Sequence, residues 1–236
     1  MQLFYNPNIN TDTQQILFDK DESRHIVRVL RKKEGDILHI TNGVGYLFTA
    51  EISIPNDKKC VAVITNATYK AKEWNYHLHI AIAPTKSNDR LEWFLEKATE
   101  IGIDEITPII CQNSERKVVK KDRLEKIIQS AMKQSLKFTL PKLNDAVKFS
   151  DFILQDFDGA TTCIAHCENE EKLSLKKVAS SHKNLVILIG PEGDFSSEEI
   201  KKSIQKNFIP ITLGKSRLRT ETAALVATHS VSFVNE

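Results

Sequence analysis

Two short apolar runs near the carboxyl end of the sequence, each followed by a glycine loop and a helix-start signal, constrain the fold most. The first run, residues 185–189, is continuous and β-branched, which is typical of a strand buried on both faces of a parallel sheet. In the loop that follows, Gly190 and Gly193 allow positive φ angles or a close backbone approach. Residues 196–199 fit a capping box, which predicts that a helix begins there.

The second run, residues 209–213, leads through Gly214 to a helix that Thr220 is predicted to cap, with Glu221 in the first turn. Because parallel strands end at one edge of their sheet, two such loops predict a ligand crevice at that edge. Neither loop matches the glycine patterns of dinucleotide or P-loop phosphate sites. The carboxylate of Glu192 would repel a phosphate and suits a ribose hydroxyl or a cationic ligand better. The alternative is that both are ordinary strand–turn–helix connections.

Length and composition place the chain among soluble globular proteins. With 236 residues it can form one large domain or a small and a medium one. The hydrophobic content of 41% and the charged content of 27% are ordinary. No apolar run has the roughly 18 residues of a membrane span, and the first residues do not resemble a signal peptide, so we expect a cytoplasmic protein. The net charge of +2 does not by itself indicate a nucleic-acid partner.

The first part of the chain, residues 1–70, is rich in β-forming residues separated by turn clusters. This pattern predicts a small barrel followed by a connection over residues 66–76. Ser23 is predicted to cap a short helix through Leu30. The predicted strands are residues 3–5, 37–41, 46–54 and 60–65.

The second part, residues 74–236, alternates strands with helices, which predicts an α/β domain with a parallel sheet. Asp89 is predicted to cap a helix that ends at Gly102. The further predicted strands are residues 77–83, 105–110 and 161–165, and the predicted helices are residues 90–100, 122–138 and 173–179.

Basic residues are concentrated in two places. Arg24, Arg28 and Arg31 are spaced to share one face of the predicted short helix, and arginine suits phosphate because of its forked donors. Residues 112–148 carry ten basic and four acidic side chains, a local net charge of +6. A polyanion partner is the functional interpretation, and a solvated helix face is the alternative. The candidate RNA-binding residues of this segment are Arg116, Lys120, Lys121 and Arg123.

The four cysteines do not indicate a metal site. Cys163 and Cys167 flank His166, but three ligands without a second cysteine pair are fewer than a zinc site usually shows. We therefore interpret Cys60, Cys111, Cys163 and Cys167 as buried, reduced thiols and predict no metal.

The two glycine loops also carry a long resemblance. Residues 189–195 (IGPEGDF) and 213–223 (LGKSRLRTETA) resemble the signature pair of the RsmE family, within the SPOUT superfamily. Residues 23–31 with Gly35 and Asp36, and residues 90–93 and 97–102, match as well. The resemblance covers essentially the whole chain.

The resemblance implies an S-adenosyl-L-methionine-dependent methyltransferase that methylates a uridine at N3 in 16S ribosomal RNA. It also implies a PUA-like RNA-binding domain at residues 1–70, a SPOUT domain with a trefoil knot at residues 74–236, and a homodimer. The implied catalytic residues are Arg219 and Glu221. The implied donor-binding residues are Leu188, Ile189, Gly190, Pro191, Glu192, Gly193, Leu213, Gly214, Leu218, Arg219 and Thr220.

The proposed chemistry requires few groups. Methyl transfer is an in-line displacement in which positioning carries much of the catalysis. Uridine N3 must lose a proton, so the site needs a proton acceptor or a path to water. Glu221 is the candidate for the base or for an orienting group. A cation near the uracil oxygens, for which Arg219 is the candidate, would stabilise the developing negative charge. A noncatalytic RNA-binding or ribosome-assembly protein of the same fold is the main alternative. A small-molecule enzyme with a Rossmann-like sheet is disfavoured by the missing glycine fingerprint and by the basic segment.

Overall fold

The structure is a computed structural model that describes residues 1–236. The chain forms two compact units. The first contains residues 1–73 and 132–140, and the second contains residues 74–131 and 141–236. No helix is long and apolar enough to cross a membrane.

The first unit is built on a five-stranded sheet with the strand order β1-β3-β4-β5-β2. β1 and β3 are parallel and the other pairs are antiparallel. The strands predicted at residues 3–5, 37–41 and 46–54 are confirmed, whereas β2 is absent from the prediction and β5 continues to Tyr69, so the predicted connection starts too early. The elements are β1 (Leu3–Tyr5), β2 (Gln15–Leu17), α1 (Lys20–Arg24), β3 (Ile37–Thr41), β4 (Tyr46–Ile54) and β5 (Val61–Tyr69).

The short helix of this unit differs from its prediction. Asp19, not Ser23, caps α1, and its carboxylate accepts a hydrogen bond from the Glu22 amide. Ser23 is buried because its hydroxyl donates to the Phe18 carbonyl and accepts from the Cys60 amide. A π-helical turn over residues 25–29 follows, and Arg31 lies beyond it with φ 55°. The predicted single face of three arginines is therefore wrong, since it assumed one α-helix through Leu30.

The second unit contains an eight-stranded sheet whose pairings are all parallel, as predicted. Its order is β11-β13-β10-β12-β6-β7-β8, with β9 paired to β7. The strands are β6 (His77–Ile82), β7 (Glu105–Ile110), β8 (Lys142–Leu143), β9 (Val147–Lys148), β10 (Thr161–Ala165), β11 (Leu173–Ser174), β12 (Asn184–Ile189) and β13 (Ile209–Thr212). The helices are α2 (Asn88–Ile101), α3 (Lys121–Gln134), α4 (Phe149–Phe152), α5 (Leu175–Ser181), α6 (Ser197–Gln205) and α7 (Thr220–Asn235).

Several helix ends differ from the predictions. α2 follows Ser87 rather than Asp89, although it ends at Gly102 as predicted. α3 stops four residues early because Leu136 adopts φ 56°. α5 starts at Leu175, since the Ser174 side chain accepts a hydrogen bond from the Lys177 amide and so forms the cap.

The sheet of the second unit is buried on both faces, and this explains the continuous apolar strands. Residues 185–189 of β12 are all buried, and the core beside them includes Ile109, Phe152 and Ile164. His79 in β6 is buried in the same sheet. Its ring hydrogen-bonds the Thr107 hydroxyl at 2.7 Å, and desolvation lowers its pKa to about 4. The parallel strands leave four adjacent carboxyl ends, of β13, β10, β12 and β6, at one edge.

Candidate active site

The loop after β12 is held by a reciprocal cap at the start of α6. The Ser196 hydroxyl accepts from the Glu199 amide, and the Glu199 carboxylate accepts from the Ser196 amide, so the predicted capping box is confirmed. Gly190 and Gly193 do not adopt the positive φ angles that glycine allows, whereas Asp194 takes the left-handed conformation, with φ 65°. Gly190 is required for close approach instead, since a Cβ atom there would lie 3.0 Å from Cδ2 of Phe195.

The loop after β13 is joined to the first loop by one hydrogen bond. Contrary to prediction, Thr220 does not cap α7; Arg219 occupies the cap position. Thr220 is the first helical residue, and its hydroxyl donates to the Gly190 carbonyl at 3.0 Å. Gly214 adopts φ 136°, a conformation that favours glycine. The hydrogen bond therefore holds the two loops side by side, although they are 30 residues apart in sequence.

Two adjoining cavities lie at this edge. The first cavity has a volume of about 420 Å³ and is lined by residues 165–167, Lys172, residues 211–218 and Ala223. The second cavity, of about 360 Å³, is lined by Ala165, Cys167, residues 189–192, Asp194, residues 217–220 and Ala223. The cavities share five residues: Ala165, Cys167, Arg217, Leu218 and Ala223.

The structure brings most of the predicted donor-binding residues to these cavities. Ile189, Gly190, Pro191, Glu192, Arg219 and Thr220 line the second cavity, Leu213 and Gly214 line the first, and Leu218 lines both. Leu188 and Gly193 line neither. Leu188 is fully buried in the sheet, and Gly193 is exposed on the outer side of its loop, beside Asn113.

Sequence reasoning missed the contribution of β10. Its last residue, Ala165, and the following His166, Cys167 and Lys172 line the first cavity. A signal was available, because the sequence predicts a parallel strand at residues 161–165 and strand ends of one sheet share an edge. Cys167 is exposed, which corrects the prediction that all four cysteines are buried; Cys60, Cys111 and Cys163 are buried, and all four are free thiols. No group of three or more His, Cys, Asp or Glu side chains is placed to hold a metal ion.

Two carboxylates near the cavities, those of Glu192 and Glu221, each have one oxygen without a hydrogen-bond partner. Glu192 accepts a hydrogen bond from the Lys86 amide through Oε1 at 2.9 Å, and its buried Oε2 has no partner. Glu221 is buried and lies 3.8 Å from Nε of Arg90 through Oε1, while its Oε2 has no hydrogen-bond partner. Arg219 is exposed and lines the second cavity, whereas Glu221 lines neither cavity. Glu192 therefore offers the second cavity a hydrogen-bond acceptor for a ligand that carries donors.

The candidate RNA-binding residues of the first unit are exposed. Arg24 and Arg31 extend to solvent. Arg28 is held by Asp57 in an ion pair of 2.7 Å, and the hydrogen bond from the Arg28 side chain lowers the pKa of the Asp57 carboxyl. Surface pairs of this kind are weak, so a phosphate can compete for the guanidinium.

The candidate RNA-binding residues of the second unit are mostly engaged. The Arg116 guanidinium donates to the Thr85 and Lys86 carbonyls, which indicates a structural role. Lys120 is exposed without an ion pair. The other two candidates form ion pairs, Lys121 with Asp145 at 3.0 Å and Arg123 with Glu92 at 2.7 Å.

Comparison with known proteins agrees with this architecture. The RNA methyltransferase domain family matches residues 72–232, and the RNA methyltransferase PUA domain family matches residues 18–65. The chain is 34% identical to the ribosomal RNA small subunit methyltransferase E of Buchnera aphidicola, over 92% of this chain and 87% of that protein.

Two solved structures are similar over nearly the full length. A probable rRNA-methyltransferase from Porphyromonas gingivalis is 38% identical, with a TM-score of 0.91, and the match covers 100% of this chain and 98% of that one. The ribosomal RNA small subunit methyltransferase E of Neisseria gonorrhoeae, bound to S-adenosyl methionine, is 26% identical, with a TM-score of 0.86 and coverage of 97% and 95%. The chain therefore belongs to the ribosomal RNA small subunit methyltransferase E family.

Proposed function

We propose that the protein uses S-adenosyl-L-methionine to methylate a uridine at N3 in 16S ribosomal RNA. It is an RNA methyltransferase by family membership, and ribosomal RNA is its substrate class. The observation that carries the donor assignment is the pair of adjoining cavities formed by the loops after β10, β12 and β13. A noncatalytic RNA-binding protein would not need a donor-sized cavity of this kind.

The residues of the cavities fit this donor. Ile211, Leu213 and Leu218 give the first cavity apolar walls, which suit a flat heterocycle. In the second cavity, the unpaired Oε2 of Glu192 can accept a hydrogen bond from a ribose hydroxyl. When bound, the donor supplies a methyl group already activated by its sulfonium. The chain itself binds the donor, orients it toward the uridine and excludes water.

We assign the acceptor chemistry to Arg219, with Glu221 as an orienting group. Arg219 is exposed in the second cavity, where its guanidinium can bind phosphate or stabilise the negative charge of the uracil oxygens. Glu221 has an unused carboxylate oxygen but is buried beside Arg90. It is therefore better placed to orient Arg90 and the start of α7 than to remove the N3 proton directly.

The finer features of the architecture also remain proposals. We propose a PUA-like RNA-binding barrel over residues 1–70 and a SPOUT domain with a trefoil knot over residues 74–236. In support of the knot, β10 lies between β12 and β13, so the chain crosses β10 to complete the sheet. We also propose a homodimer. Trp93 on α2 and Phe233 on α7 are 43% and 65% exposed, large apolar areas that a second copy can cover. Because ribosomal RNA is the substrate class, we expect the protein in the cytoplasm.

The function is tested by incubating the protein with labelled S-adenosylmethionine and either free small-subunit RNA or assembled subunits, followed by nucleoside analysis. We expect the label in N3-methyluridine. Label on another base or another ring atom would contradict the stated specificity. RNA binding without donor binding or label would favour the noncatalytic alternative.

A second prediction concerns the basic surface of the second unit, defined here as Lys120, Lys121 and Arg123. Replacing all three by glutamine should weaken RNA binding and reduce the slope of log affinity against log salt by about 0.9 for each phosphate that the protein no longer neutralises. The measurement is fluorescence anisotropy with a small-subunit RNA fragment over a salt series.

A matched control removes the same charge elsewhere. Lys201, Lys202 and Lys206 are exposed residues at α6, and their triple replacement by glutamine should leave the slope nearly unchanged. Equal slopes for the wild type and the Lys120/Lys121/Arg123 variant would mean that these side chains form only a solvated face.

A further inference from the structure

A buried histidine in the first cavity has no role in the chemistry described so far. His166 follows β10 and lines the first cavity. It is only 7% exposed, yet neither Nδ1 nor Nε2 has a hydrogen-bond partner. Buried polar atoms are nearly always hydrogen-bonded, and leaving them unpaired is costly. A histidine whose two nitrogens are buried and unpaired beside a cavity is thus a site for a ligand with polar groups.

The backbone on both sides of this imidazole is fixed. The Lys172 ammonium donates to the His166 carbonyl at 2.8 Å and to the Glu168 carbonyl at 2.7 Å. The Cys167 amide donates to the Asp194 carboxylate at 2.7 Å, which links this segment to the loop after β12. These hydrogen bonds involve the main-chain groups of residues 166–168 and not the imidazole. The backbone that carries the ring is therefore fixed, while both ring nitrogens lack a hydrogen-bond partner.

The surroundings keep the imidazole neutral. Burial, followed by the Lys172 ammonium, lowers the pKa of His166, although Asp194, Glu170 and Glu168 oppose the shift. A neutral imidazole has one hydrogen-bond donor and one acceptor. It is therefore suited to a neutral partner that also offers a donor and an acceptor.

We infer that His166 hydrogen-bonds the adenine of the bound methyl donor in the first cavity. This inference rests on the proposed function. Adenine is flat and neutral and has donors and acceptors along its edges, which matches a cavity with the apolar walls Ile211, Leu213 and Leu218. The charged end of the donor is better matched by the second cavity, which contains Glu192 and Asp194 together with Arg219.

The experiment compares four proteins by calorimetric titration with S-adenosylmethionine and with adenosine alone. They are the wild type, His166→Phe, and the two amide variants His166→Asn and His166→Gln, which keep a donor and an acceptor near the positions of Nδ1 and Nε2. His166→Phe should lower the affinity for both ligands about fivefold or more, and one of the amide variants should recover part of the loss. His182→Phe is the matched control, because His182 is exposed and lines neither cavity.

A second readout separates ligand contact from a structural effect. In protein labelled with ¹⁵N-histidine, the ring nitrogens of His166, assigned with whichever variant folds, should shift when adenosine is added. If every His166 variant failed to fold, a spectrum in which no histidine ring nitrogen shifted on addition of adenosine would still overturn the inference. Equal affinities of the wild type and His166→Phe would overturn it as well. Absence of S-adenosylmethionine binding by the wild type would instead overturn the proposed function.

Discussion

Replacing Arg219 by alanine should slow methyl transfer by a factor of about 10²–10³, as expected when a preorganised donor to a developing oxyanion is removed. Arg219 lines the second cavity at the cap position of α7. Its side chain is exposed and makes no capping hydrogen bond, so the substitution removes no cap from α7. We therefore expect an intact fold, and because Arg219 is also an implied donor-binding residue, the rates are compared at a donor concentration that saturates the variant.

The measurement is single-turnover methyl transfer to small-subunit RNA at saturating RNA and donor, with the thermal midpoint and the donor affinity measured on the same preparations. Lys206→Ala is the control, since Lys206 is exposed and lines neither cavity. Arg219→Lys retains the charge but loses the forked donor geometry, so its rate should lie between those of the wild type and the alanine variant. Unchanged turnover in Arg219→Ala would remove this residue from the mechanism.

The double substitution Gly190→Val and Gly214→Val should reduce the affinity for S-adenosylmethionine about 30-fold or more. The two glycines act for different reasons. A Cβ atom at Gly190 meets the buried Phe195 ring at 3.0 Å, and overpacking of that kind costs about 1–3 kcal/mol. At Gly214 the space is open but φ is 136°, which costs a side-chain-bearing residue about 1–3 kcal/mol. Both substitutions therefore destabilise the loop conformation that forms the cavities, and the donor affinity falls accordingly.

The donor affinity is measured by calorimetric titration, and the fold is checked by circular dichroism and thermal unfolding. Gly159→Val provides the matched control, because Gly159 also has a positive φ of 72° with open space around its Cβ position and lines neither cavity. Its donor affinity should equal that of the wild type. Retention of wild-type affinity by the double variant would show that the donor binds elsewhere.

Local patterns were sufficient for the elements whose stabilising contacts are close in sequence. β12 was predictable because a short, β-branched apolar run followed by a glycine turn is typical of a strand buried on both faces. The start of α6 was predictable because Ser196 and Glu199 satisfy each other across three residues. The same holds for Gly102 at the end of α2. In each case the sequence pattern and the physical contact involve the same few residues.

Prediction failed where a distant partner decided the role of a residue. Ser23 and Thr220 are both good capping residues by type, but Ser23 bonds Cys60 and Thr220 bonds Gly190. Neither hydroxyl is therefore used for the cap that its local sequence suggests. The role of His166 was hidden for the same reason, since its importance depends on the neighbouring strand ends and on the absence of any partner for its ring.

The position of β10 between β12 and β13 has a consequence for biosynthesis. The residues that line the two cavities all lie between Ala165 and Ala223, and the hydrogen bond from Thr220 to Gly190 forms only after the start of α7 has been made. Non-local closure of this kind is slow compared with helix or hairpin formation. The two cavities are thus incomplete until α7 has been made, and a variant truncated before Thr220 should have no methyl-transfer activity rather than partial activity.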